Sequence, residues 1–359
     1  MIVADILEMV ERKIPFGFAE SWDNSGLLIG DPKEKVRGIL LCLDITPEAL
    51  QACIRKKCNV IIAHHPLIFS PLKHIRENTL KGKLIAELIR RNISVIAIHT
   101  NLDSSPLGMN AWIAEQLGLA DRVPLRPYRD LYKLVTFVPL SHEKKLREQL
   151  ADAGAGTIGN YTSCSFNVNG YGTFRGGEGT HPAIGTPGII EEVKEVRMEM
   201  ICEGARIRRL TRALKKAHPY EEPAYEFYAV RADHKDAGLG IAGKLKRPLR
   251  VETIARKLKE ILGIKHLRIS RNRPSSLKRI GICTGSGSDL VGDAAGLGCE
   301  LFITGDVSYH TWLETDICLM DAGHFGTEHI FPRVMKPLFE DASDISVQVF
   351  ENTAPYTEK

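Results

Sequence analysis

Two segments far apart in the chain share one pattern. Lys57–His65 (KCNVIIAHH) aligns with Gly298–Asp306 (GCELFITGD), each a cysteine, a polar residue and an apolar run. Around each, one apolar strand comes a helix earlier and another a helix later. These are Val36–Asp44 and Ile93–Ile98 in the first stretch, Lys278–Thr284 and Ile317–Asp321 in the second. Short apolar runs between helical patterns are strands covered on both faces, which predicts an α/β sheet. Their repetition in the same order predicts two related α/β halves. Local signals agree: Thr46 before Pro47 and Glu48 supplies an N-cap and first turn for a helix over 47–57. Further helices are predicted over 80–91 and 110–117.

The middle of the chain has another grammar. A strand over Tyr132–Val138 leads to a charged helix over Glu143–Ala153, with Ser141 as its cap. A Gly-rich stretch follows, with a short strand at Cys164–Val168. Glu195–Cys202 alternates with a period of two, Ala205–Ala217 is a basic amphipathic helix, and Ala224–Val230 is a last strand. The order β-α-β-β-α-β is that of a ferredoxin-like unit. The chain has 359 residues, more than the roughly 250–300 that one core supports. The expected architecture is therefore α/β, with two related halves (1–125 and 233–359) forming one unit and an α+β insert (126–232) interrupting it.

Composition narrows the function classes. Lys plus Arg number 48 and Asp plus Glu 44, a formal net charge of +4, too mild to imply nucleic acid or an anionic membrane. No apolar run approaches the ~20 residues of a transmembrane helix. The start, MIVADILEMVERKIPFGFAE, reads as an amphipathic helix and lacks the basic and small-residue features of a signal peptide. The eight cysteines form no CxxC pair and sit mostly in apolar runs, which suits reduced, buried thiols in a cytoplasmic protein.

Chemistry gathers where the apolar strands end. His64 and His65 close one, at the carboxyl edge where α/β sheets place their sites. Adjacent on extended backbone, they are expected to point to opposite sides, serving two metals or one metal and a supporting contact. A polar cap after a strand is the plainer alternative. The next strand ends at His99-Thr100-Asn101-Leu102-Asp103. A carboxylate there can bridge two cations about 3.5–4 Å apart, although alone it reads as a turn aspartate. His324 and Glu328 are spaced i, i+4 at a strand-to-helix junction. With a helix predicted over 327–339, His324 falls on the approach loop and Glu328 in the first turn, near the positive helix end.

Three histidines and two carboxylates without cysteine suit zinc, iron, manganese or cobalt, and disfavour calcium or magnesium. Asp44, His99, Asp306, His310 and His329 are candidates for supporting contacts or acid–base work. Gly285-Ser286-Gly287-Ser288 lacks the lysine of a P-loop and reads as a tight strand-to-helix turn.

These blocks resemble a known family. Ser21-Trp22-Asp23-Asn24-Ser25-Gly26-Leu27, Ala63-His64-His65-Pro66-Leu67, His99–Asp103, Gly285–Ser288, Thr304-Gly305-Asp306 with His310, and Asp321-Ala322-Gly323-His324 with Thr327-Glu328 are similar to the signature blocks of the Nif-three-like family, also labelled GTP cyclohydrolase 1 type 2 homologues. His218-Pro219-Tyr220-Glu221-Glu222-Pro223 is similar to the PII- or CutA-like domain inserted in its longer bacterial members. The resemblance implies a dinuclear centre of two divalent ions, zinc first, with iron, manganese or cobalt as alternatives. Its ligands by motif position are His64, His65, Asp103, His324 and Glu328. It also implies a ring-shaped homohexamer capped by the inserted domain.

Two functional readings follow. In the first the chain is a metal-dependent hydrolase acting on a small molecule, GTP ring opening being the specific version, with His99 or His310 as proton shuttle. In the second it handles metal or regulates, the insert sensing a small molecule, without turnover.

Overall fold

A computed structural model describes residues 1–128, 131–230, 236–271, 273–339 and 345–357. Residues 1–128 with 236–359 form one compact unit and 129–235 a second. The expected boundary at 232/233 falls outside the described residues.

The first unit holds two sheets. One runs in the order Gly26–Ile29, Ser94–Ala97, Val60–Ala63, Gly38–Cys42, Ser346–Val349. Its last four strands are parallel, and Gly26–Ile29 is antiparallel at the edge. The expected burial on both faces follows from side-chain alternation. Ile39, Leu41, Val60, Ile62, Ile96 and Ile98 face one core, while Leu40, Cys42, Ile61, Ala63 and Val95 face another. The second core is closed by the helices Pro47–Arg55 and Leu80–Arg90, and Thr46 caps the former by accepting from the Ala49 N–H at 3.2 Å.

The other sheet runs Arg268–Ile269, Cys318–Asp321, Leu301–Thr304, Leu277–Ile282, Gly238–Leu249, Ala120–Pro127, with its Leu277, Leu301 and Cys318 strands parallel. The turn into the aligned strand recurs. Lys57 (φ 56°) and Gly298 (φ 72°) are both left-handed. The following cysteines donate back to Cys53 and Ala294 carbonyls, at 3.0 and 2.9 Å.

Neither half is self-contained, however. Ala120–Pro127 lies in the sheet of the C-terminal stretch, and Ser346–Val349 lies in the sheet of the N-terminal one. The two strands were not legible because both are edge strands without a continuous apolar run.

Other expectations shift. The helix predicted over 327–339 is instead His324–Glu328, then Phe331–Met335, then a 3-10 turn Lys336–Phe339. Pro332, at the start of the second piece, has no N–H to continue a helix. The first piece begins at His324 because Gly323 (φ 77°) reverses the chain just before it.

The second unit carries one antiparallel sheet in the order Phe166–Arg175, Ile190–Glu203, Leu131–Pro139, Tyr225–Val230. Two helices, Glu143–Asp152 and Ile207–Ala217, cover it through Leu146, Leu150, Leu210 and Leu214. The Gly-rich stretch holds a ten-residue strand where a short one was expected. Ser141 lies within a 3-10 turn and caps nothing. None of the eight cysteines is in a disulfide, and seven are buried. Among the described residues no helix is long and apolar enough to cross a membrane.

Candidate metal centre

The carboxyl ends of both sets of parallel strands deliver side chains to one place. His64 follows Val60–Ala63 and its side chain is wholly buried. Its Nδ1–H donates to the Ile98 carbonyl at 2.9 Å, which leaves Nε2 for the cluster. That nitrogen has no hydrogen-bond partner among the described residues. It stands 3.6 Å from Glu328 Oε1 and 3.9 Å from Asp103 Oδ2, too far for hydrogen bonds. His65 donates from Nδ1 to Asp44 Oδ1 at 2.8 Å, and its Nε2 lies 2.9 Å from Glu328 Oε2. The two rings are 5.0 Å apart. They share one site and do not point to opposite sides, because the strand ends at Ala63 and its alternation stops there.

Asp103 ends the single turn Thr100–Asp103 and is buried. Asn110 ties it across the unit, donating to the Asp103 carbonyl at 3.0 Å and accepting from the Thr284 N–H at 2.8 Å. His324 and Glu328 lie on one short helix, and His324 Nε2 is 3.0 Å from Glu328 Oε2. Asp306 holds His324 Nδ1 at 2.7 Å. Glu328 therefore reaches all three histidines.

Glycine makes room for it. Gly285 is left-handed (φ 65°), and a Cβ there would run into the Glu328 carboxylate. Its N–H is held by Thr327 Oγ1 at 2.9 Å.

The electrostatics follow from two buried acids among histidines. Burial opposes charge on Glu328, but His64 and His324 hold its carboxyl well below the usual range. Burial raises Asp103 against the pull of His64. Burial also opposes the imidazolium forms. The hydrogen bonds to Asp44 and Glu328 nevertheless push His65 up to about 10, and the Asp103 charge raises His64. The Glu328 hydrogen bond pushes His324 up to about 9.

His64, His65 and His99 form one group whose ligand atoms lie within 4.8 Å of one another, and His65, His324 and Glu328 form a second. Either can hold a metal ion. Donors at about 2.1 Å from one tetrahedral ion stand about 3.4 Å apart, near the 2.9–3.6 Å between Glu328 and the three histidines. A buried nitrogen without a partner costs about 1–3 kcal/mol, and coordination would remove that cost. The residues fit a metal.

The remaining candidates divide. His99 belongs to the cluster, whereas His310 sits on the exposed helix Tyr309–Glu314 with its ring 5.7 Å from that of Tyr309. His329 stacks on Phe325 and binds its carbonyl at 3.1 Å. Asp23, in the Ser21–Leu27 block, supports the cluster although it does not stand at the end of an apolar strand. Its wholly buried carboxylate accepts from His99 Nδ1–H at 2.7 Å, the Thr100 hydroxyl at 2.6 Å and the Ser25 hydroxyl at 2.9 Å. Burial raises its pKa, but the His99 and Thr100 hydrogen bonds outweigh that and hold it far below the usual range. Its sequence signal is an aspartate in a turn, indistinguishable from a capping residue. Trp22 and Phe69, both exposed, each stand with ring centroids 6.3 Å from that of His99.

The fold and site are those of an α/β protein with a His/Asp/Glu cluster of metal-binding character. The chain belongs to the Duf34/NIF3 (NGG1p interacting factor 3) family, whose model matches residues 1–355. It is 36% identical over 340 residues to the GTP cyclohydrolase 1 type 2 homolog of Halalkalibacterium halodurans, covering 93% of this chain and 91% of that one. The Staphylococcus epidermidis protein of the same name is 35% identical over 344 residues, 95% of this chain and 93% of that one. The crystal structure of a Bacillus cereus protein related to NIF3 superposes with a TM-score of 0.83 at 34% identity, over 100% of this chain and 99% of that one.

Proposed function

We propose that the chain is a dinuclear metal-dependent hydrolase, its ions held by His64, His65, Asp103, His324 and Glu328. The observation that carries this is the partnerless, buried His64 Nε2 facing two buried carboxylates. Two divalent ions, zinc first with iron, manganese or cobalt as alternatives, supply Lewis acidity that makes water a nucleophile near neutral pH. The protein's part is positional. Asp44 and Asp306 orient His65 and His324 through their Nδ1 atoms, as carboxylates behind metal-binding histidines do. Asp23 fixes His99 in the same way, leaving its Nε2 to take or give a proton beside the cluster. His99 suits this task better than His310, which lies apart. The exposed rings of Trp22 and Phe69 suit a flat, apolar portion of a small-molecule substrate. The name of the relatives, GTP cyclohydrolase 1 type 2 homolog, brings purine ring opening into the set of reactions to be tried.

The second unit is read as a ferredoxin-like, PII/CutA-like insert between two related halves, supported by its element order and sheet. A cytoplasmic ring-shaped homohexamer completes the reading and is tested by light scattering. A metal-handling role is the second reading, favoured by the 37% exposure of the His324 side chain, which leaves one group open to exchange.

Metal analysis of protein purified without added metal, with a panel of nucleotides, phosphoesters and amides, tests these readings. The hydrolase predicts turnover that is lost on chelation and in Asp103→Ala with the fold intact. Turnover surviving chelation would sink it. Transfer of metal to an apo-acceptor without any hydrolysis would favour the second reading.

A further inference from the structure

The C-terminal strand brings a residue to the site that no reading above uses. Ser346–Val349 pairs parallel with Gly38–Cys42, and the Phe350 N–H adds a last rung to the Leu41 carbonyl at 2.9 Å. Beyond it the ladder stops, and a side chain takes over. Asn352 Oδ1 accepts from the Leu43 N–H at 2.9 Å and the Asp44 N–H at 3.2 Å, while Nδ2 donates to the Asp44 carbonyl at 3.0 Å. One amide thereby fixes three main-chain groups of the turn that carries Asp44. The Asp44 side chain is 44% exposed, so neighbours alone do not confine it. Its bearing toward His65, 2.8 Å away, depends on the turn being held. His65 in turn belongs to both groups of ligand atoms. Farther along, the Tyr356 hydroxyl lies 3.6 Å from where a Cβ on Gly323 would stand, directly before His324.

We propose that residues 350–356 form a strap that sets the metal centre, with Asn352 a positioning residue that acts through Asp44 on His65. The inference rests on the metal-centre reading above. Asn352 touches no ligand atom, so removing it leaves the donor set whole and changes only how well His65 is aimed. Outer partners of metal-binding histidines contribute roughly 10–100-fold in affinity.

Cobalt(II) titration followed by visible absorption tests this in wild type, Asn352→Ala, Asp44→Asn and the double variant. The expected result is cobalt binding 10–100-fold weaker in each single variant, with an altered absorption band and unchanged stoichiometry. The double variant should bind no more weakly than Asp44→Asn, because residues on one path are not additive. A merely structural Asn352 would lower thermal stability, leave the band unchanged and add its loss to that of Asp44→Asn. Should Asn352→Ala not fold, Asn352→Asp keeps both accepted N–H contacts and replaces the donation to the Asp44 carbonyl by a carboxylate oxygen that repels it. It should still bind more weakly than wild type. Wild-type affinity in a folded Asn352 variant, or fully additive losses, overturns the strap and leaves the metal reading standing. A wild type that takes up no cobalt overturns both.

Discussion

His65 and Glu328 stand 263 residues apart in the chain, and their Nε2 and Oε2 atoms lie 2.9 Å apart in space. Glu328 also meets His64 and His324, so one buried carboxylate joins candidate ligands from both sheets. Glu328→Gln keeps the shape and removes the charge. The variant should lose at least one bound metal equivalent by metal analysis. Its unfolding free energy in denaturant should fall by about 3–5 kcal/mol, as when one partner of a buried pair is removed. Unchanged metal content in the folded variant would remove Glu328 from the ligand set.

Gly285 and Gly298 offer a controlled comparison. Both are left-handed, at φ 65° and 72°. Alanine at either carries the backbone penalty of about 1–2 kcal/mol. Around Gly298 a Cβ meets nothing within 4 Å, whereas at Gly285 it would displace the Glu328 carboxylate. Both Gly285→Ala and Gly298→Ala should lower the thermal midpoint, and only Gly285→Ala should lower metal content. Equal metal content in the two would mean that the Gly285 loop does not shape the site.

The contrast between these glycines also marks what a sequence can disclose. The central strands were legible because both their faces are buried, which writes an unbroken apolar run. His64, His65, His324 and Glu328 were readable as candidates because they sit just past such runs, and Asp103 because it closes the segment that follows one. Asp23, Gly285 and Asn352 were not: each acts through tertiary contact, and its own neighbourhood reads as an ordinary turn or tail. The crossing of Ala120–Pro127 and Ser346–Val349 into the opposite sheets was hidden for a related reason. Edge strands are half exposed, and their pairing partner is not encoded locally. The broken helix after His324 was half visible, since Pro332 is in plain sight but a proline early in a helix is tolerated.

His218 gives the second unit a pH dependence of definite sign. It is buried, its Nε2–H donates to the Phe137 carbonyl at 3.0 Å, and its Nδ1 accepts from the Tyr220 N–H at 3.1 Å. Only the neutral ring can make both bonds. Burial pushes its pKa below the ordinary value, against the pull of the Phe137 carbonyl. The unfolded chain therefore takes up the proton first as pH falls through about 6.5, and stability is lost below that point. Above it both states are neutral and pH has no effect through this group. His218→Gln lacks the titration. The wild type's advantage over it in unfolding free energy should be constant above pH 7 and shrink toward pH 5. An advantage that grows on acidification would contradict the neutral assignment.

Excision of the second unit tests whether the first is complete by itself. Pro127 lies opposite Gly238 in an antiparallel pair, and the Tyr128 N–H donates to the Ala237 carbonyl at 2.9 Å. The two ends are thus already in hairpin register, which a two-residue Asn-Gly turn can close. The cores of this unit are built from its own residues, and all five candidate ligands lie outside 129–235. Joining Tyr128 to Ala237 through such a turn should give a folded protein with wild-type metal stoichiometry, measured by circular dichroism and metal analysis. A folded deletion variant without metal would show that the second unit is required to build the centre.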